Sequence, residues 1–312
     1  MDENLAPERD AIERIRTMYW FEGVRLHLDV PTAYAVEHII EPEGFQRNKA
    51  GAHFRRNKWG RYQHGRHTPR ATLVARTAEF VPGSPKEINH VLWKALSETP
   101  NIAREAPIWL RQLTPGLQLL VFTDDDQLRA TVDRPVLAKI ERLASLDSLA
   151  CLTILWKRYF AIGELEQAWR VATSVFRVLL MVGAEFSKRG VGDTIFAVFV
   201  EKIFEKASWN GERFYLEGYD YSFSSEFLDQ VAMRCLSDKG LEQSWSKKVQ
   251  QMIGILDGKI GIGIRFALWP TVGPDDNLGP LSEKMRRTLD SNFRIRRRSM
   301  EKIIAGNTFD HL

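Results

Sequence analysis

The sequence predicts a mainly α-helical protein. Apolar residues recur at three- and four-residue spacing through most of the 312 residues, which is the pattern of helices with one buried face. The alternation of strands and helices that a parallel α/β sheet requires is missing from the sequence. The hydrophobic content of 44% is that of a globular protein with a substantial core. We therefore expect a small helical domain at residues 1–84 and a larger all-helical domain at residues 85–312.

The N-terminal domain is expected to consist of four short helices. Proline and glycine residues separate them, because both residue types disfavour the interior of a helix. Thr68 is suited to cap the fourth helix, and Pro69 is suited to its first turn. The sequence PGSP at residues 82–85 ends that helix and marks the domain boundary. The four helices are expected at residues 7–23, 32–40, 52–64 and 69–81.

Longer helical segments are expected in the larger domain. Pro135 begins a stretch that continues to Phe160, and a basic helix follows Pro280 as far as Ile304. The apolar run LQLLVF at residues 117–122 is too short for periodicity to distinguish a strand from the end of a helix. The other helical segments are expected at residues 87–96, 102–113, 164–188, 193–208, 224–236 and 241–256.

The charge distribution is uneven, although the formal net charge is only +4. No acidic residue occurs at the 35 positions between Glu43 and Glu79, which carry nine Lys and Arg residues. This segment, called the basic window below, therefore carries +9, and the remainder of the chain carries −5. Such a segment favours a polyanionic partner such as nucleic-acid phosphate over a merely solvated basic face. Its basic residues are Arg47, Lys49, Arg55, Arg56, Lys58, Arg61, Arg66, Arg70 and Arg76.

The order of residue types inside the basic window is the second observation that bears on a nucleic-acid partner. Residues 62–69 read YQHGRHTP, in which Gly65 can end one helix with a left-handed backbone. Thr68 and Pro69 can then begin the next helix. Over residues 45–81 the sequence resembles helix-turn-helix DNA-binding domains of the Cro/lambda-repressor type, at the end of the recognition helix and the turn after it.

The resemblance implies a role for three further positions. Trp59 and Tyr62 share one helix face and anchor the recognition helix in the core, and Ala78 is a small core residue of the next helix. The segment before the recognition helix, GFQRNKAGAHF, is more polar and richer in glycine than the supporting helix of that family. The segment at residues 32–40 is therefore the alternative supporting element.

The basic window and the resemblance together predict a DNA-binding protein that contacts duplex DNA through residues 53–70. Its expected role is that of a transcriptional regulator, or of a DNA binder associated with mobile elements or defence. Arg56, Asn57, Arg61 and Gln63 are the candidates for contacts with base edges. The full set of expected nucleic-acid contacts is Arg47, Lys49, Arg55, Arg56, Asn57, Lys58, Arg61, Gln63, His64, Arg66 and Arg70.

Two alternatives to duplex binding stay open. A helical interaction protein with the same basic window would bind RNA or an acidic protein partner. An enzyme would need a site in the larger domain, where no catalytic motif is found, so the protein is not expected to be an enzyme. A homodimer is also left open.

The sequence contains no pattern that indicates a metal or a cofactor. A glycine-containing turn separates His64 from His67, with no third ligand nearby, and the triple aspartate at residues 124–126 is typical of a helix cap. Cys151 and Cys235 are too few for a disulfide-rich secreted scaffold. The polar, acidic N-terminus and the lack of a long apolar run predict a cytoplasmic protein without membrane contact.

A second basic cluster is present near the C-terminus, where Phe293, Ile295 and Met300 interleave with basic residues. Two interpretations stay open. The cluster adds phosphate contacts or binds an acidic partner, or its long side chains cover a partly apolar surface. It consists of Lys284, Arg286, Arg287, Arg294, Arg296, Arg297, Arg298 and Lys302.

Overall fold

The computed structural model describes residues 10–45, 57–99, 101–238, 240 and 242–306. The described chain is mainly helical, which confirms the predicted fold class. It divides into two compact units. The first contains the chain up to Ser97 together with Glu185–Val198, and the second contains Glu98–Ala184 and the chain from Phe199 onward. The predicted boundary at residue 84 falls within the first unit.

Short antiparallel strands accompany the helices in the second unit. The strands are β1 (Ser208–Trp209), β2 (Glu212–Tyr215) and β3 (Thr271–Pro274). A π-helical turn at Val200–Phe204 follows the helix that ends at Phe199. In chain order the helices are α1 (Ala11–His27), α2 (Ala33–Ile40), α3 (Lys58–Gln63), α4 (Ala71–Phe80), α5 (Ser84–Ile88), α6 (Val91–Leu96), α7 (Ile102–Leu110), α8 (Pro115–Val121), α9 (Arg134–Leu143), α10 (Leu146–Ala161), α11 (Leu165–Met181), α12 (Gly183–Lys188), α13 (Gly192–Phe199), α14 (Tyr221–Asp238), α15 (Trp245–Leu256), α16 (Ile262–Leu268) and α17 (Glu283–Ile304).

An aromatic core joins the N-terminal helices of the first unit. Trp20 of α1 stacks on Trp59 of α3 with ring centroids 5.8 Å apart, and Tyr62 meets Trp59 edge-on at 5.7 Å. All three side chains are buried, which confirms that Trp59 and Tyr62 anchor α3. Ala78, expected in the core, is only half-buried, whereas Val74 belongs to the buried face of α4.

Helix α1 continues past Gly23, where the sequence predicted its end. A Cβ atom at this position would lie 2.3 Å from Nη1 of Arg189 and 2.5 Å from Oε2 of Glu87. The missing side chain therefore leaves space for the Arg189–Glu87 ion pair, 2.9 Å long, beside the helix. Arg189 also lies over the ring of Tyr19. This glycine serves packing against the distant segment Glu185–Val198 rather than helix termination.

The turn after α3 is a Schellman motif. Gly65 has a φ of +62°, which confirms its predicted left-handed backbone. Its N–H donates to the carbonyl of Tyr62 at 2.9 Å, and the N–H of Arg66 donates to the carbonyl of Arg61 at 2.8 Å. These two bonds satisfy carbonyl groups that the end of a helix leaves without partners.

The start of α4 differs from the prediction. Thr68 does not cap this helix, because Arg70 occupies the N-cap position. The Thr68 hydroxyl donates to the Glu13 carboxylate of α1 at 3.3 Å. Pro69 is buried in the connection, and Arg70 has an extended backbone, so the helix begins at Ala71. Thr68 therefore ties the turn to α1.

Replacing Gly65 with alanine is expected to lower the free energy of unfolding by about 2–4 kcal/mol. The left-handed backbone disfavours a side chain, and the new Cβ atom would lie 2.7 Å from the backbone oxygen of Arg14. Gly83→Ala is the control, since Gly83 has a φ of +93° but faces open space; its cost is about 1 kcal/mol. Equal losses for the two variants in urea denaturation would contradict the packing role of Gly65.

Helices α10 and α11 pack together in the second unit. Every residue from 147 to 156 of α10 is buried. The single helix expected over residues 135–160 is instead divided into α9 and α10. Ala144 has a left-handed backbone, and Ser145 begins α10 with a capping box that it shares with Ser148. The side chains of this capping box satisfy backbone donors at the new helix start.

The three strands form an antiparallel sheet in the order β1-β2-β3, an addition to the all-helical domain that was expected. Asn210 and Gly211 connect β1 to β2 with φ angles of 54° and 73°, as a two-residue type I′ hairpin requires. Tyr215 of β2 pairs with Thr271 of β3. Helix α17 packs against β3 and α16. The run at residues 117–122 is mostly helical and belongs to α8.

Lys157 on α10 is expected to make stability depend on pH. Burial lowers the pKa of its amine from 10.5 to about 8, and Lys202 and Lys206 add repulsion. The folded state therefore binds fewer protons than the unfolded state between these pH values, so the free energy of unfolding rises as pH rises from about 8 to 10.5. Lys157→Met should remove this rise and add about 1–2 kcal/mol of stability at neutral pH.

Urea denaturation at neutral pH and near pH 10 checks this expectation. Lys94→Met is the control, because Lys94 is exposed on α6 and its loss should leave the pH dependence unchanged. A Lys157→Met protein that keeps the full rise would contradict the assignment.

Candidate nucleic-acid interface

An open cleft of about 720 Å³ lies in the first unit between the start of α2 and helix α3. Five of the residues predicted to contact nucleic acid line it together, although they span both α3 and the turn that follows. The cleft therefore gathers amide, imidazole and guanidinium groups on one surface. It is lined by Thr32, Ala33, Tyr34, Asn57, Gly60, Arg61, Gln63, His64 and Arg66.

Helix α3 separates a buried face from an exposed one. Trp59 and Tyr62 point into the core, whereas Arg61 is exposed. Asn57 has a left-handed backbone at the start of the helix, and its side-chain oxygen would lie 2.5 Å from a Cβ atom at Gly60. Because Gly60 has no side chain, the Asn57 amide can lie close against α3 at the cleft.

Two glutamates that precede the basic window neutralise part of it. The Lys58 amine and the indole N–H of Trp59 both donate to the Glu41 carboxylate, at 2.7 and 2.8 Å. Arg76 donates to the two oxygens of Glu43, and this hydrogen bond lowers the pKa of the Glu43 carboxyl below its ordinary value. Lys58 and Arg76 are therefore offset, and Lys58, a predicted contact, is engaged with Glu41.

The exposed arginines of α3 and the turn lack such partners. Among the described residues, no carboxylate lies within 4.0 Å of the Arg61, Arg66 or Arg70 guanidinium. Arg61 approaches His67, with Nη1 and Nε2 3.5 Å apart. These three exposed arginines make the surface of α3 and of the turn after it positively charged.

The remaining predicted contacts fall into two groups. Lys58 and Arg70 belong to the same connected segment but do not line the cleft. The other four lie outside the described residues: Arg47, Lys49, Arg55 and Arg56.

Tyr34 is a cleft residue that the sequence pattern did not reveal. Its ring packs edge-on against Phe45 at 5.1 Å, yet 46% of the residue is exposed. The buried face of α2 includes Ala33, Val36 and Ile40. Position 34 lies to the side of the helix face that positions 33, 36 and 40 form. This spacing is the signal in the sequence that indicates a place outside the core for Tyr34.

Comparison of the chain with protein-family models, curated proteins and solved structures found no significant match. No three His, Cys, Asp or Glu side chains come together as metal ligands in the part of the chain that the structure describes. None of the described helices is both long enough and apolar enough to cross a membrane.

Proposed function

We propose that this protein binds duplex DNA through the cleft between α2 and α3. The observation that carries the proposal is the grouping of Asn57, Arg61, Gln63 and Arg66 around one open cleft. No carboxylate pairs with the two arginines among the described residues. Guanidinium groups bind phosphate oxygens, and side-chain amides bind the edges of bases.

Two kinds of side chain at the cleft are suited to different contacts with DNA. Arg66 and Arg70 lie on the connection after α3 and are exposed, so they are suited to phosphate contacts that set the position of the duplex. Asn57 and Gln63 are suited to base edges because each amide offers a donor and an acceptor. Arg61 is exposed on the helix itself and can reach either partner.

The rigid support of α3 makes this surface suitable for recognition. Trp59 is fully buried against α1, and its indole is hydrogen-bonded to Glu41. The Schellman motif at Gly65 fixes the direction in which Arg66 leaves the helix. A site on a fixed scaffold loses less conformational entropy on binding than one on a free loop. The proposed role is that of a cytoplasmic transcriptional regulator or of a DNA binder associated with mobile elements or defence.

Competition for a fluorescently labelled duplex tests the proposal. We expect an unlabelled duplex to displace the label at concentrations about tenfold lower, per negative charge, than single-stranded RNA or heparin. Equal displacement by single-stranded RNA or heparin would show that the cleft binds polyanions without recognising duplex DNA. Failure of the duplex to bind at low salt would contradict nucleic-acid binding altogether, because phosphate contacts are strongest there.

Two single-residue variants separate base contacts from phosphate contacts. Gln63→Ala is expected to weaken binding selectively for the preferred sequence, which the native protein selects from a pool of random duplexes, whereas Arg66→Ala should weaken binding to all duplexes by a similar factor. Anisotropy titrations with the preferred duplex and a scrambled duplex measure both. A uniform loss for Gln63→Ala would contradict its assignment to a base edge.

A further inference from the structure

A second cleft, of about 740 Å³, lies in the second unit beside α17. It is formed by the turn before α14 and by three turns of the basic C-terminal helix. Three arginines and an aromatic side chain line it. The lining residues are Gly218, Asp220, Asp290, Phe293, Arg294, Arg296, Arg297 and Met300.

Arg296 is the unusual residue of this cleft. Its guanidinium carbon lies 4.4 Å from the centroid of the Tyr219 ring. Its Nε atom is buried and has no hydrogen-bond partner, and among the described residues no carboxylate lies within 4.0 Å of the group. Burial lowers the pKa of the Arg296 guanidinium below its ordinary value. The protein therefore holds a partly desolvated charge with an unsatisfied donor.

Neither aspartate of the cleft forms an ion pair or a hydrogen bond with Arg296 among the described residues, although the charge of Asp220 acts to raise the Arg296 pKa. The Asp220 carboxylate accepts the backbone N–H of Phe223 at 2.9 Å, which commits one of its oxygens to the start of α14. Asp290 is exposed at the rim, and its backbone carbonyl accepts from Nε of Arg294 at 3.2 Å. A buried donor without a partner costs about 1–3 kcal/mol, and more when it is charged. An anion in the cleft would offset that cost.

Covering an apolar surface explains only part of the position of Arg296. Its guanidinium lies over the ring of Tyr219, as expected of an amphipathic side chain beside an aromatic neighbour. A cation–π contact supplies no hydrogen bond, so the buried Nε–H donor of Arg296 stays without a partner. Guanidinium N–H groups form paired hydrogen bonds with phosphate oxygens.

We propose that the cleft beside α17 binds a phosphate group, with Arg296 at its inner wall and Arg294 and Arg297 at its mouth. Three guanidinium groups favour a phosphate over a singly charged carboxylate, since a phosphate offers more charge and more acceptor oxygens. Arg294 and Arg297 are both exposed and adjacent to Arg296 on the helix surface. The phosphate belongs to a free nucleotide or to the backbone of a nucleic acid.

Titrations with inorganic phosphate, adenosine monophosphate and a short duplex distinguish these sources. Binding of the two small ligands is followed by phosphorus NMR, and binding of the duplex by fluorescence anisotropy. Arg296→Gln removes the charge at the inner wall. Arg298→Gln is the matched control, because it removes the same charge from an exposed position of α17 outside the cleft.

We expect Arg296→Gln to reduce the affinity for phosphate about tenfold more than Arg298→Gln does. If the small ligands bind and lose affinity in this way, the site takes a free nucleotide; if only the duplex loses affinity, the site takes backbone phosphate. Equal behaviour of the two variants toward all three probes would overturn the proposal. Arg294→Gln, at an exposed position, repeats the test should Arg296→Gln fail to fold.

The site is separable from the proposed DNA-binding cleft, because Arg61 and Arg66 belong to the first unit. The Arg61→Ala/Arg66→Ala protein should bind inorganic phosphate or adenosine monophosphate as tightly as the native protein does. If that variant loses duplex binding but keeps phosphate binding, the phosphate site beside α17 does not depend on the cleft between α2 and α3.

Discussion

Replacing Trp59 with alanine is expected to lower the free energy of unfolding of the first unit by about 3–5 kcal/mol. The side chain is fully buried and packs against Trp20, Phe21 and Tyr62, and its indole N–H donates to Glu41. The substitution therefore creates a large cavity and leaves a carboxylate oxygen without this donor. Urea denaturation followed by circular dichroism measures the loss.

Phe80→Ala is the matched control for the Trp59 variant. Phe80 is an aromatic residue at the end of α4, but it is 40% exposed. Its removal should cost about 1–2 kcal/mol, less than the loss for Trp59, because part of the ring is already in water. Similar losses for the two variants would contradict the central position of Trp59 in the core.

The Arg61→Ala/Arg66→Ala protein is expected to bind duplex DNA about 10- to 100-fold more weakly than the native protein at moderate salt. Both side chains line the cleft and lack a carboxylate partner among the described residues. Their positive charge is therefore available to phosphate oxygens. Neither residue belongs to the core, so the free energy of unfolding should change by less than about 0.5 kcal/mol for each.

Lys94→Ala and Arg76→Ala control for charge alone. Lys94 is exposed on α6 and does not line the cleft, and Arg76 is already bonded to Glu43. Each should change the affinity for duplex DNA by less than about threefold. A loss as large as that of the double variant would show that net charge, and not the cleft, controls binding.

The features that could be predicted from the sequence depend on local spacing. Trp59 and Tyr62 are three residues apart and share a buried helix face, and Gly65 follows at the position where a left-handed residue ends the helix. The packing role of Gly23 could not be predicted from spacing, because the Arg189 side chain beside it is distant in the sequence. The dipeptide Asn210-Gly211 is a local signal for a hairpin, but the strands that it joins are too short to stand out beside the helical patterns around them.

The chemistry of the cleft was only partly predictable. The count of basic residues indicates the segment in which the exposed arginines lie. It does not distinguish a free charge from one that is paired with a carboxylate. Glu41 and Glu43 lie just before the window and fold back onto Lys58 and Arg76, which are 17 and 33 residues away along the chain. Such pairs depend on tertiary structure, which no count of charges along the sequence contains.

The salt dependence of duplex binding tests the central claim most directly. Each phosphate that an arginine neutralises adds about 0.9 to the slope of log affinity against log salt concentration. We expect a steep negative slope for the native protein and a slope shallower by about 2 for Arg61→Ala/Arg66→Ala. A flat dependence for the native protein, or equal slopes for the two proteins, would contradict phosphate binding at this cleft.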